Sequence, residues 1–133
     1  MVHPDFQYDT ARLGEVLCEG RIDVTAEEVM RFRALLGYDP APAGVVPAVP
    51  PSMGLTYGLR LGWEHRIFPP GAIRMGDDDV FGVPARVGDA LLTRFRILQK
   101  FERKGRRFLQ YEMRTTNQDG QMVCTVCFTA VVP

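Results

Sequence analysis

The segment SMGLTYGLRLGWEHR, residues 52–66, decides the fold of this chain. Its glycines, Gly54, Gly58 and Gly62, recur at every fourth position, which places them along one stripe of a helix. Each glycine inside a helix costs about 1 kcal/mol relative to alanine, so three together need a packing reason. The simplest reason is that another backbone approaches this stripe closely. Apolar side chains cover most other sides, so the segment is predicted to be a long, buried central helix with Ser52 as its N-cap.

The sequence after this helix predicts strands joined by hairpin turns. Strands are expected at Ile73–Phe81, 91–101, 108–116 and Met122–Val132. Turns are expected at 103–106 and at 117–120, where Asp-Gly is a strong hairpin signal. Within 91–101 the alternation predicts one face formed by Thr93, Phe95, Ile97 and Phe101 and the opposite face formed by Arg94, Arg96 and Lys100.

The first half of the chain predicts short strands near 14–17 and 21–24, followed by a helix. Thr25 is its expected N-cap, Glu28 completes a capping box, and Gly37 can end the helix. Five prolines between residues 38 and 51 exclude regular structure and favour a fixed loop. Helices that precede a run of strands indicate an α+β fold, with a curved antiparallel sheet wrapped around the central helix.

Composition is that of one ordinary globular domain spanning residues 1–133. Hydrophobic residues make up 46% and charged residues 24%, and 16 basic side chains balance 16 acidic ones. No overall field therefore favours nucleic acid or an anionic membrane as a partner. The sequence shows no signal peptide and no apolar run of the ~20 residues that span a bilayer. We expect a cytoplasmic protein.

The acidic and sulfur-bearing residues do not suggest a metal or redox site. Cys124 and Cys127 form a C-x-x-C pattern, but they lie in a predicted strand. Positions three apart in a strand point to opposite faces and lie roughly 10 Å apart, beyond the ~7 Å that a disulfide spans. We expect them to act as small apolar side chains. Residues 77–79, three aspartates, also alternate between faces. We expect no metal and no cofactor.

Four short patterns occur in order along residues 14–132. They are Val24-Thr25-Ala26-Glu27-Glu28 with Phe32 and Leu36-Gly37; Val46-Pro47; Pro50-Pro51-Ser52-Met53-Gly54-Leu55; and Val83-Pro84-Ala85-Arg86-Val87-Gly88-Asp89. On these residues the chain resembles the MaoC-like (R)-specific enoyl-CoA hydratase and 3-hydroxyacyl dehydratase family. The resemblance implies the hot-dog fold and an activity on 2-enoyl or 3-hydroxyacyl thioesters of coenzyme A or acyl carrier protein.

The resemblance also implies where the active site lies. The family's Asp-x-x-x-x-His pattern, which activates water, falls on Asp39 to Gly44, so Asp39 is the candidate catalytic residue and glycine replaces the histidine. A backbone N–H at Gly54 is the candidate group that polarises the thioester carbonyl. Ser52 and Tyr57 are candidate substrate-binding residues near the same helix end.

Each of these residues also has a plain structural explanation. Asp39 before a proline is a common turn starter, Gly54 can serve close packing, and Ser52 can be a cap. His65, at the far end of the predicted helix, is explained as a surface residue near a helix C-terminus. The basic residues Lys100, Arg103, Lys104, Arg106 and Arg107 could contact coenzyme A phosphates or form a solvated turn.

Three functions therefore stay open. The first is an acyl-thioester-binding subunit of MaoC type, non-catalytic or completed by a hetero-partner that supplies the histidine. Alternatively, it is a hot-dog acyl-CoA thioesterase that uses Asp39 or Glu64. The third function is binding without chemistry. The fold resemblance implies a homodimer or higher homo-oligomer in each case.

Overall fold

The computed structural model describes residues 6–133, and its main element is one five-stranded antiparallel sheet. The strand order is β1-β3-β4-β5-β2, so β1 and β2 form the two edges. The strands are β1 (Val16–Asp23), β2 (Ile73–Phe81), β3 (Ala90–Arg103), β4 (Arg106–Thr116) and β5 (Met122–Val132). The helices are α1 (Ala26–Leu35), α2 (Leu59–Glu64) and two 3₁₀ turns, Tyr8–Thr10 and Pro51–Leu55.

The hairpins are where the sequence predicts them. Between β3 and β4, Lys104 and Gly105 both have positive φ, 51° and 73°, as a two-residue type I′ turn requires. Between β4 and β5, Gly120 has φ 76°, and Asn117 Oδ1 accepts hydrogen bonds from the backbone N–H groups of Asp119 and Gln121. The bounds of β2 and β5 agree with the prediction.

The central helix is shorter than predicted and is interrupted. Residues 52–66 form a 3₁₀ turn, a bend and the short α2 instead of one long helix, and the N-cap position is Pro50 instead of Ser52. The three glycines weaken helix propensity here, and the sheet comes too close for side chains on their stripe. A Cβ on Gly62 would lie 2.6 Å from Phe68, and one on Gly58 would overlap the Met113 side chain.

The close approach predicted for the glycine stripe is present, but side chains make it, not the backbone that the spacing predicts: Cys124 at Gly54, Met113 at Gly58 and Phe68 at Gly62. The other sides of α2 are less buried than expected, since Trp63 remains 67% exposed. Its ring contacts Phe68 edge to face at 5.1 Å. Phe68 in turn lies against Phe95, Tyr111 and Phe128 of the sheet, so it fills the space that the short helix leaves.

One prediction for the first half of the chain is wrong. The two predicted short strands are a single strand, β1, with a bulge between Val16 and Cys18. The α1 cap is as predicted, since Thr25 Oγ1 accepts a hydrogen bond from Glu28 N at 3.2 Å. Gly37 follows the helix with φ 79°, which is the left-handed cap favoured by glycine.

A second bulge reverses the predicted faces at the end of β3. The register with β4 shifts between Ile97 and Gln99, so Lys100 pairs with Leu109 and Phe101 pairs with Phe108. An extra residue in one strand exchanges the faces of all residues beyond it. Lys100 therefore points inward, and its Nζ donates to the carbonyls of two N-terminal residues, Tyr8 at 3.0 Å and Ala11 at 3.3 Å. The predicted placement of Lys100 and Phe101 is wrong for this reason.

The core lies between the sheet and the helical segment 51–64. Its fully buried side chains include Phe95, Ile97, Tyr111 and Met113. Two threonines, Thr93 and Thr115, are also fully buried and share a hydrogen bond of 2.8 Å between their hydroxyls. Within residues 6–133, no helix is both long enough and apolar enough to cross a membrane.

Candidate functional site

A small apolar cavity lies at the start of the helical segment. Its volume is about 80 Å³. Gly54, Tyr57, Phe81 and Cys124 line it, together with the proline-rich segment before Gly54. The full lining is Val49, Pro50, Pro51, Gly54, Tyr57, Phe81, Gly82, Val83, Pro84, Ala85, Val123 and Cys124. Two of the sequence-predicted residues, Gly54 and Tyr57, are therefore brought together here.

Gly54 lies against β5. A Cβ at this position would be 3.1 Å from Cys124 Cβ and 3.2 Å from its Sγ. This contact is tight and is made by the Cys124 side chain, so the absence of a side chain at Gly54 permits close packing against β5. Gly54 is buried and lies within the 3₁₀ turn Pro51–Leu55. Ser52, which is half-buried, is not among the residues that line the cavity.

Tyr57 is the polar side chain with the most unusual surroundings at this site. It is only 4% exposed, and its hydroxyl has no hydrogen-bond partner among residues 6–133. Burial, together with the nearby Cys124 and Asp89, raises the pKa of Tyr57 to about 12. The phenol is therefore neutral at physiological pH and available as a donor. A buried hydroxyl without a partner costs roughly 1–3 kcal/mol, so a ligand oxygen that bonded it would recover that energy.

Asp39 lies apart from this cavity. It is exposed, and it lines a separate depression of about 140 Å³ together with Met30, Tyr38 and neighbouring residues. The two depressions share no lining residue. The loop that carries Asp39 is fixed by Arg33, whose Nη1 donates to Ala48 O at 3.1 Å and whose guanidinium lies 4.8 Å from the Tyr38 ring centre.

Position 44, where the family pattern has histidine, has a left-handed backbone conformation that favours glycine. Gly44 has φ 78°, and a Cβ there would find no atom within 4 Å. A side chain at this position would be strained and would extend into open space. The loop path at position 44 therefore suits glycine.

A larger groove of about 430 Å³ lies on the other side of Tyr57. Strand β1 and helix α2 form its walls, and Tyr57 lines both this groove and the small cavity. Its charged residues are Arg21, Asp23, Glu28, Arg60 and Glu64. Glu64 accepts a hydrogen bond from Arg60 Nε at 2.8 Å and is largely exposed. His65 follows α2 at its C-terminal end, remote in sequence from the Gly54 turn, and does not line the groove.

The cysteines and aspartates have the placement expected of strand residues. Cys124 is buried and Cys127, on the other face of β5, is half-buried. Burial raises the pKa of Cys124 to about 11. Asp77 and Asp79 pair with Phe128 and Val126 on the inner face, whereas Asp78 pairs with Cys127 on the outer face. Within the described residues, no three potential ligand side chains meet to hold a metal ion.

Two features of the site are not evident from the sequence. Phe81 and Val123 come from distant strands, and only the pairing of β2 with β5 brings them to the cavity. Asp89 is a positioning residue, because its carboxylate accepts hydrogen bonds from Arg86 N at 2.8 Å and from Gln118 Nε2 at 3.0 Å. These bonds fix the turn that carries Val83 and Ala85 to the cavity wall.

Only some of the basic residues at the β3–β4 hairpin are free to contact a phosphate. Lys100 is occupied by backbone carbonyls, and Arg107 lies 3.6 Å from both Asp9 and Glu102. Arg103, Lys104 and Arg106 are exposed at the hairpin tip.

Comparison with known proteins establishes the fold. No protein-family model matches the chain, and no curated protein matches it in sequence. Solved structures do match. A MaoC-like dehydratase from Rhodospirillum rubrum has a TM-score of 0.76 at 20% identity, over 93% of this chain and 94% of that one. R-Hydratase PhaJ1 from Pseudomonas aeruginosa has a TM-score of 0.75 at 20% identity, over 96% and 86%.

A third structure is a complex of two proteins. It is the HadBC (3R-hydroxyacyl-ACP dehydratase) complex from Mycobacterium tuberculosis, with a TM-score of 0.66 at 22% identity, over 84% of this chain and 90% of that one. At these identities the likeness shows the hot-dog fold, which confirms the predicted fold class. The structural neighbours are MaoC-like dehydratases and hydratases, as the sequence resemblance predicts.

Proposed function

We propose that this hot-dog chain binds acyl thioesters at the cavity beside Gly54 and Tyr57, as a subunit of a MaoC-type hydratase or dehydratase. The observation that carries this proposal is the apolar cavity at the start of the helical segment, in a fold shared with MaoC-like hydratases and dehydratases. The reaction adds water to a 2-enoyl thioester: hydroxide bonds to C3 and a proton goes to C2. The reverse reaction removes water from a 3-hydroxyacyl thioester.

Different residues are proposed to position the acyl group and to transfer the proton. The backbone N–H of Gly54 and the hydroxyl of Tyr57 are proposed to hold the acyl group, because both residues line the cavity. Asp39 stays the proposed base of this chain. It lies in a separate depression and lacks the family histidine at position 44. A hetero-partner that supplies the base is therefore the favoured arrangement, and the HadBC complex is an example of a two-protein dehydratase.

The test is hydration of a short 2-enoyl-CoA by the purified chain, followed by loss of the conjugated-thioester absorbance, with Asp39→Asn as the paired variant. We expect little turnover by the chain alone, together with a higher melting temperature in the presence of acyl-CoA. Turnover that disappears in Asp39→Asn would instead show a complete site without histidine. The absence of both turnover and a thermal shift would contradict acyl-thioester binding.

One observation favours a thioesterase as the second candidate. Glu64 lines the same groove as Tyr57, whereas Asp39 does not. A carboxylate near the bound thioester could activate water for hydrolysis. Hydrolysis releases free thiol, so a thiol-reactive dye separates it from hydration. Loss of thiol release in Glu64→Gln, with release retained in Asp39→Asn, would support this alternative.

We also propose that the exposed edge strand β2 pairs with a second chain. Four large apolar side chains on β2 are exposed, namely Ile73 (61%), Met75 (61%), Val80 (56%) and Phe81 (47%). A long apolar edge with unpaired backbone groups invites strand pairing. Light scattering at micromolar concentration is expected to give twice the chain mass. A monodisperse monomer would contradict this proposal.

A further inference from the structure

The cavity beside Tyr57 is small for a site that binds an acyl chain. Its volume is about 80 Å³, about half of the ~150 Å³ cavity that holds benzene. By that comparison it accommodates about three or four carbon atoms. A longer chain would have to displace a wall.

Most of the walls cannot move easily. Gly82 lies so close to the backbone of Met122 that even a Cβ there would overlap it. Pro50, Pro51 and Pro84 restrict the backbone on the opposite side. Gly54 is already in tight contact with Cys124. Expansion through these walls would require backbone shifts in the sheet or in the proline segment.

Phe81 is the exception. Its ring lines the cavity, lies 3.8 Å from the position of a Cβ on Gly54, and is 47% exposed. It therefore closes the cavity towards the sheet edge without being held on all sides. Its truncation would open the cavity while leaving most of the core unchanged.

The chemistry of the lining adds a second requirement. Apart from Tyr57, the side chains around the cavity are apolar or, at Cys124, a protonated thiol. The Tyr57 hydroxyl is buried and has no partner among the described residues. A ligand that fits both features is a short apolar chain with an oxygen within reach of that hydroxyl.

We infer that the cavity selects short-chain acyl thioesters, of about four carbons or fewer, that Phe81 sets this limit, and that Tyr57 donates a hydrogen bond to an oxygen of the acyl group. This inference rests on the proposed acyl-thioester binding and adds the substrate class.

The test is calorimetric binding of acetyl-, butyryl-, octanoyl- and lauroyl-CoA to the wild type and three variants. We expect butyryl-CoA to bind about tenfold more tightly than octanoyl-CoA, since a chain that overfills a rigid cavity is penalised. Phe81→Ala should remove most of this difference. Val80→Ala is the matched control, because Val80 is the adjacent residue of β2, pairs with Thr125 on the opposite face, and is 56% exposed. Val80 and Phe81 both belong to the apolar edge of β2, so this control also accounts for any change in strand pairing. Val80→Ala should keep the wild-type preference.

Tyr57→Phe tests the hydrogen bond. It should weaken butyryl-CoA binding about fivefold, the range expected for one hydrogen bond. Equal binding of octanoyl- and butyryl-CoA by the wild type would overturn the inference but leave acyl binding intact. So would an unchanged preference in Phe81→Ala, or unchanged butyryl-CoA affinity in Tyr57→Phe. Failure of every acyl-CoA to bind would refute the proposed function and, with it, the inference.

Discussion

Two buried tyrosines in one core give opposite predictions for the same substitution. Tyr57 is 4% exposed and Tyr111 is fully buried. Tyr111 Oη donates to Ile67 O at 2.9 Å, whereas Tyr57 Oη has no partner among residues 6–133. Replacement by phenylalanine removes only the hydroxyl, so the two variants compare a bonded hydroxyl with an unbonded one at nearly equal burial.

The magnitudes follow from the cost of an unpaired polar group. Tyr57→Phe removes a buried hydroxyl that gains no protein hydrogen bond, so we expect the free energy of unfolding to rise by about 1 kcal/mol. For a chain of 133 residues that corresponds to a rise in melting temperature of roughly 3–5 °C. Tyr111→Phe leaves the Ile67 carbonyl unpaired, so we expect a loss of about 1–2 kcal/mol.

The assay is urea unfolding of the three proteins at pH 7, with the slope of the free energy against urea checked for equality. Because burial raises the pKa of Tyr57 to about 12, the phenol stays protonated throughout. If Tyr57→Phe were as destabilising as Tyr111→Phe, the Tyr57 hydroxyl would have to be hydrogen-bonded in the free protein. The argument that it is available to a ligand would then be wrong.

Three further predictions concern the core. Thr93→Val leaves the buried Thr115 hydroxyl unpaired and should lower the free energy of unfolding by about 1–3 kcal/mol. The double variant Thr93→Val with Thr115→Val should recover most of that loss, as measured by urea unfolding of the wild type, both single variants and the double variant. Burial raises the pKa of Cys18 and of Cys124 to about 11 from the ordinary value of 9.0, so their contribution to stability is complete below pH ~9 and is lost as the pH rises towards 11. Urea midpoints should therefore fall over that range, and less steeply in Cys124→Ala; a flat profile in the wild type would contradict this. Lys100→Met removes the donor to the carbonyls of Tyr8 and Ala11 and should increase proteolytic cleavage near the N-terminus, with Lys104→Met, at the exposed hairpin tip, as the unaffected control.

The fold class and most of the sheet could be predicted from the sequence. Alternation of side chains and turn residues are local signals, so β2, β5 and both hairpins could be placed from neighbouring residues alone. The glycine stripe also predicted correctly that other parts of the chain approach Gly54, Gly58 and Gly62 closely, although the approaching atoms are side chains and not the expected backbone.

The length of the central helix, the faces at the end of β3 and the composition of the site could not be predicted, because they depend on contacts between distant residues. The helix stops short because sheet contact and Phe68 replace helical packing, an interaction between residues distant in sequence. The bulge at residues 97–99 depends on cross-strand register, which alternation within one strand does not reveal. The cavity arises where strand pairing brings Phe81 and Cys124 to Gly54 and Tyr57, while Asp39 lies elsewhere. Long-range pairing therefore determines which side chains can act together, and local sequence patterns do not contain that information.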